Sequence, residues 1–245
     1  MRNYHSRWLG SAAMASARTA AWPADDPAIG FLGAIDPDQA RQLRERGVHR
    51  RFRKGEALFH QGASSDRVIV LLSGRVKVST VAGDGKEVVL AFRGPGDLLG
   101  ELSAIDGEPR SASVEAIEAV EALAIAATDF RSFLLANPDL ALLLLQMLSR
   151  RLRDADRKRV EYGAYDTVGR VAARLVELAE RYGEPAARGL RIGLPLSQEE
   201  LAGWTGSSRE AVSKALQTLR NVGWVITERR RITILDLEAL RRRSV

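Results

Sequence analysis

The sequence contains no cysteine and only three histidines, His5, His49 and His60. Without cysteine there is no disulfide, no thiolate zinc site, no cysteine-ligated iron–sulfur cluster and no cysteine nucleophile. Three scattered histidines do not make a His-rich metal site. Long apolar runs are missing too: the longest, around Leu140–Leu145, falls far short of a membrane span. The first 30 residues are Ala/Ser-rich and carry Arg2, Arg7 and Arg18. They lack the uninterrupted apolar core of a secretory signal. The chain therefore reads as cytoplasmic, with no membrane partner and a disordered extension over residues 1–30.

What is present is ordinary globular composition: 245 residues, 45% hydrophobic and 28% charged. That length holds one large domain or two modest ones. Lys and Arg number 37 against 31 Asp and Glu, a net charge of +6, which permits an acidic partner without demanding one. From Asp166 onward 14 basic residues face 10 acidic ones, so this stretch holds +4 of the total.

The periodicity changes twice along the chain. From about Val48 to Ile125, short apolar runs alternate with turn signals such as Lys54-Gly55, Ser73-Gly74, Gly83-Asp84-Gly85 and Asp106-Gly107. Evenly spaced short strands with glycine corners predict a β-barrel or jelly roll. From Asp129 to about Tyr165 the pattern is helical. Leu145, Leu148, Leu152 and Ala155 follow at 3,4,3 spacing, the seam of a helix that packs on a partner helix, until Arg159 breaks it. The alternative is an ordinary amphipathic helix on its own domain. The rest predicts three helices and a hairpin tipped by Arg229, Arg230 and Arg231. The division is 1–30 extension, 31–138 jelly roll, 139–165 helix that would pair with a partner and 166–245 a basic, helical last domain, an α+β chain.

Two helix starts lie ten residues apart. Ser197 precedes Glu200 by three, and Ser207 precedes Glu210 by three, each a candidate capping box. Ala202 lets the two helices approach, Gly206 supplies the sharp turn and Val212 packs back. That is a helix-turn-helix. Its second helix would present Ser208, Arg209, Glu210 and Lys214. Arginine grips guanine with two donors and glutamate accepts from cytosine. Ser197 and Gln198 at the start of the first helix, and Arg230 in the hairpin as a wing on phosphate, complete the DNA-facing set. Otherwise Glu210 is only a capping side chain and the cations only solvated surface.

A second constellation is Gly100-Glu101-Leu102-Ser103, then Pro109-Arg110-Ser111-Ala112. Gly100 permits close backbone approach, and the amides after it point at an anion. Arg110 adds a charge-assisted fork for a phosphate, and Glu101 an acceptor for a ribose hydroxyl. The alternative is a structural Arg110–Glu101 ion pair.

At these residues the chain resembles the cyclic AMP receptor protein / fumarate-nitrate regulator (CRP/FNR) family of bacterial transcription factors, from about Val48 to Leu235. The GELS…PRSAS segment resembles the family's phosphate-binding cassette, SSREAVSKAL its recognition helix and DTVGRVAARLVELA its first DNA-domain helix. The resemblance implies a jelly-roll sensor, a long dimer helix and a winged helix-turn-helix. It implies that Glu101 holds the ribose 2′-hydroxyl and that Arg110 pairs with the cyclic phosphate. Ser111, Ala112 and the Gly100–Leu102 backbone assist, and Val78, Leu90 and Leu99 form the apolar wall. It implies cyclic AMP as effector, a homodimer, RNA polymerase as partner, and palindromic double-stranded DNA with TGTGA-like half-sites. Lys214 stands where an arginine is common, which loosens the fork there.

At the base-reading end the sequence departs from the family. Ungapped alignment on Arg150-Arg151-Leu152 puts Ala155 and Asp156 where hydroxyl or amide residues touch adenine. Ala155 has no side-chain hydrogen bond to offer. Asp156 accepts from adenine N6, or from guanine N1 and N2, which would favour cyclic GMP; otherwise it pairs with Arg153 or Arg159 on the helix surface. A regulator of the same fold with another effector, or none, is the competing reading. Within it, absent cysteine excludes iron–sulfur sensing, and His49 and His60 at the barrel entry read as packing residues rather than heme ligands. The third reading, an enzyme hydrolysing cyclic nucleotide with Glu101 as base, finds no second catalytic group, metal cluster or phosphate loop.

Overall fold

A computed structural model describes residues 30–244 except Asp84, Pro195 and Arg229. Residues 1–29 of the expected extension, and Arg229 of the wing, lie outside the described residues. The chain opens with α1 (Phe31–Ala34) and α2 (Pro37–Glu45), then runs β1 (Gly47–Phe52), β2 (Ala57–Phe59), β3 (Arg67–Ser73), β4 (Val76–Val81), β5 (Glu87–Arg93) and β6 (Leu98–Leu99). After α3 (Glu101–Asp106) come β7 (Ser113–Ala116), β8 (Val120–Ala126), α4 (Ala127–Ala136) and the long α5 (Pro138–Ala164). The last part is α6 (Thr167–Tyr182), β9 (Gly183–Pro185), β10 (Leu190–Ile192), α7 (Gln198–Thr205), α8 (Arg209–Asn221), β11 (Val225–Glu228), β12 (Arg231–Ile234) and α9 (Leu237–Arg243).

Two antiparallel sheets, ordered β1-β8-β3-β6 and β2-β7-β4-β5, form a jelly-roll-like sandwich. Ile69, Leu71, Ala122 and Ala124 of the first sheet meet Phe59, Val76, Val114 and Ala116 of the second in one core. The opposite face of the first sheet, with Val68, Val70, Leu123 and Ile125, is covered by Phe31, Leu43, Phe130, Phe133 and Leu140 from the helices. Burial on both faces explains why β3 is a continuous apolar run rather than an alternating one. The Ser73-Gly74 corner joins β3 and β4 across the two sheets, whereas β4 and β5 pair directly as the expected hairpin.

Helix α5 buries Leu140, Leu143 and Leu144 in its first two turns and Glu161, paired with Arg174 of α6, near its end. Between them, Leu145, Leu152 and Val160 are each more than 60% exposed. Tyr165 is extended and ends the helix, and Asp166 caps α6 by accepting from the Gly169 amide at 2.8 Å. The amphipathic face of α6 (Val171, Ala172, Leu175, Leu178, Ala179) packs into a third core with Leu201, Ala202, Trp204, Val212, Leu216 and Leu219. Val89, Phe92 and Ile117 of the sandwich belong to that same core.

Candidate functional site

The turn before α3 is built on Gly100, whose φ of +77° favours glycine and whose missing Cβ leaves room for Arg110. A Cβ there would collide with Arg110 Nη1. Arg110 donates from Nη1 to the Gly100 carbonyl (3.0 Å) and from Nη2 to the Arg67 carbonyl (2.5 Å). Its guanidinium lies 3.8 Å above the Phe59 ring centroid. The residue is 4% exposed, its Nε has no hydrogen-bond partner, and no carboxylate among the described residues pairs with it. Burial pulls this guanidinium below its ordinary value, with Asp66 opposing. A buried cation without an anion is costly unless one arrives.

The structural Arg110–Glu101 pair is not what forms. Glu101, itself buried, pairs with Arg151 of α5 at 2.5 Å, and Arg151 also donates to the Leu98 carbonyl at 3.0 Å. These residues open onto a cavity of about 550 Å³, within the range of small-molecule sites. Val78, Leu90, Leu99, Gly100, Glu101, Leu102, Arg110, Ser111 and Ala112 all line it. Asp156 does not: one residue beyond Ala155 it turns away on the helix, and its carboxylate faces Arg159 at 4.0 Å on the exposed surface. Asp154, Ala155 and Lys158 occupy the wall instead. Seven Arg and Lys line the cavity against four Asp and Glu, so its field favours an anion. Burial and the neighbouring Arg151 push Arg93 down to about 10. His49 and His60 are exposed rather than packed.

Phe59, Arg151, Lys158 and Tyr162 went unread as cavity residues in the sequence, where Tyr162 reads as the start of a hinge over Tyr162–Asp166. Arg151, Lys158 and Tyr162 stand at i−4, i+3 and i+7 from Ala155, so helical spacing carried the signal once Ala155 was placed on the cavity. Phe59 had none, because its contact joins β2 to the loop after α3, about fifty residues on.

In the last domain Ser197 caps α7 with the expected reciprocal box to Glu200. The cap of α8 is Ser208 rather than Ser207. The Ser207 hydroxyl is already held, accepting from Arg170 at 3.1 Å and donating to the Thr205 carbonyl at 3.3 Å. Gly206 takes φ +58° in the turn, and Ala202 and Val212 are buried as expected. Ser208, Arg209, Glu210 and Lys214 are exposed along the first turns of α8. The Glu210 carboxyl is held below its ordinary range by its own backbone N–H and the Ser208 hydroxyl, which keeps it an acceptor. Ser197, Gln198, Arg209 and Arg230 line one groove of about 330 Å³ between α7, α8 and the wing.

Two family models match the chain: a cyclic nucleotide-binding domain over residues 49–137 and a Crp-like helix-turn-helix domain over residues 169–243. The CRP-like cAMP-activated global transcriptional regulator of Mycobacterium tuberculosis is 35% identical over 215 residues, 88% of this chain and 96% of that protein. A CRP-family transcriptional regulator from Thermus thermophilus superposes with a TM-score of 0.68 at 27% identity, covering 80% of this chain and 96% of that one. The c-di-GMP-responsive global regulator CLP of Xanthomonas campestris shares the fold, with a TM-score of 0.72 at 22% identity, covering 82% of this chain and 100% of that one. A cyclic nucleotide-binding model followed by a Crp-like helix-turn-helix model, together with a relative 35% identical over 88% of the chain, shows that the chain belongs to the CRP/FNR family of transcription regulators.

Proposed function

We propose that the chain is a homodimeric, sequence-specific DNA-binding regulator switched by a cyclic mononucleotide, cyclic AMP first. The observation that carries the effector half is Arg110, buried with a free Nε and no carboxylate partner at the floor of a cationic cavity. In this reading Arg110 and Ser111 take the cyclic phosphate, and Glu101 turns from Arg151 to a ribose hydroxyl. Val78, Leu90 and Leu99 hold the base. Residues 31–138 sense, 139–165 dimerise and 166–245 read DNA. Of the expected seam, Leu145 and Leu152 are exposed and support pairing with a second copy, whereas Leu148 is half-buried against the sensor core and Ala155 lines the cavity. DNA and RNA polymerase as partners make the working compartment the cytoplasm.

The switch is a population shift about the break at Tyr165. A tenfold change in DNA affinity requires the nucleotide to favour the competent state by about 1.4 kcal/mol. Family members are transcription regulators, not enzymes, so no turnover is expected. Calorimetry with cyclic AMP and cyclic GMP on the wild type and Arg110→Ala tests the site. DNA affinity with and without nucleotide, on a palindrome with TGTGA-like half-sites, tests the switch.

A second reading keeps the fold and changes the effector. Ala155 brings no hydrogen bond to the cavity and Asp156 lies outside its lining, which leaves adenine without the expected partners. Cyclic GMP or another ligand then replaces cyclic AMP. Heat with cyclic GMP but not with cyclic AMP, or with neither, would select this reading.

A further inference from the structure

Lys158 belongs to three structural units at once. Its side chain lines the cavity and is 18% exposed. Its ammonium donates to the Leu90 carbonyl at 3.2 Å, pairs with Glu177 of α6 at 3.3 Å and lies 5.3 Å from the centre of the Trp204 ring of α7. Burial pushes this ammonium below its ordinary value, while Glu177 opposes that shift.

The partner at the cavity end is a bulge. Val78 faces Ala91 and Ser79 faces Val89, so Leu90 is an extra residue on β5. Its carbonyl serves Lys158, and its half-exposed side chain lines the cavity. Val89 and Phe92, on the same strand, enter the core shared with the DNA-binding domain, where Phe92 meets the Trp204 ring edge-on at 5.0 Å. Helix α7 closes tightly on this edge strand: a Cβ on Gly203 would stand 2.9 Å from the Glu87 carbonyl oxygen. The Tyr162 hydroxyl donates to the Trp204 carbonyl at 3.0 Å from the same stripe of α5.

We propose that Lys158 is the positioning residue that links occupation of the cavity to the seat of the helix-turn-helix. In the structure it clamps the Leu90 bulge, Glu177 and Trp204 together. A nucleotide base that enters beside Leu90 and Ala155 offers ring-nitrogen or keto acceptors to a donor-only ammonium. The ammonium moves toward the cavity, the bulge shifts, and α7 loosens from β5. This rests on the nucleotide reading of the cavity given above.

The test uses the full chain as wild type, Lys158→Met, Lys158→Arg and Glu177→Gln. Without nucleotide, amide exchange over 198–205 is expected to rise at least tenfold in Lys158→Met and to follow in Glu177→Gln, with β3 and β8 unchanged. Lys158→Arg restores part of the protection. The ratio of DNA affinities with and without nucleotide is expected to collapse to within twofold of one in Lys158→Met, because the variant already behaves as the liganded protein. Wild-type protection over 198–205 in both Lys158→Met and Glu177→Gln overturns the clamp, and an unchanged affinity ratio in Lys158→Met overturns the link. If neither cyclic AMP nor cyclic GMP binds the wild type, the effector reading falls, and the nucleotide-free exchange alone decides the clamp.

Discussion

Arg110 and Asp166 show how single charges are held for different ends. Arg110 is fixed by two backbone carbonyls and the Phe59 face, and its Nε donor stays unspent. Hydrogen bonds to charged groups contribute about 1.5–3 kcal/mol each, so Arg110→Ala should weaken nucleotide binding roughly 10- to 150-fold. Calorimetry reads that loss, and undiminished heat would remove Arg110 from the site. Asp166 works on stability instead. The Gly169 N–H first, then Arg243, holds its carboxyl below the ordinary carboxylate range. Its stabilising contribution is therefore complete above the unfolded value of about 4 and is lost as pH falls through the lower folded value. Asp166→Asn keeps a cap acceptor and abolishes that dependence. The thermal midpoints of the two proteins should converge below pH 4, and a constant gap would reject the assignment. Glu101 and Arg110 were legible in the sequence because glycine, acid and arginine lie within one short segment. The Arg151–Glu101 pair was not, because it joins residues fifty positions apart.

At the scale of elements, local rules located most boundaries. The Ser197–Glu200 box opens α7 as spacing predicted, because both partners lie within one helical turn. The start of α8 shifted by one residue, because Arg170, from another helix, takes the Ser207 hydroxyl that would have capped it. Tertiary demand on a side chain is invisible to a local pattern. The shift leaves Arg209 as the first residue of α8, exposed and directed into the groove with Gln198 and Arg230. Arg209→Ala should cost about 1–3 kcal/mol on a specific site and relax base preference. Selection of sites from random DNA checks this, and an unchanged consensus would sink the role.

The whole molecule is organised by α5, which carries different chemistry on different sides. One stripe, with Arg151, Ala155, Lys158 and Tyr162, faces the cavity and the DNA-binding domain. Another exposes Leu145 and Leu152. Under the proposed pairing, Leu152→Glu should lower the sedimenting mass from dimer to monomer and weaken binding to a palindrome far more than to a half-site. An unchanged mass would dismiss the seam. Periodicity found Leu145 and Leu152 of the second stripe but also took in Leu148, which packs back on the sensor core, and Ala155, which lines the cavity. The shared core of Val89, Phe92 and Ile117 with α6 and α7 was hidden, because strand and helix patterns say nothing about which domain they serve. That core bears on inheritance and on engineering alike. A reading head whose interior borrows side chains from its sensor does not travel as a free cassette. A chimera that grafts residues 166–245 onto a foreign sensor leaves Trp204 facing whatever that sensor's fifth strand presents. A graft should keep its fold best on sensors with apolar residues at the places of Val89, Phe92 and Ile117, so the match of that face, and not only the linker, decides what can be exchanged.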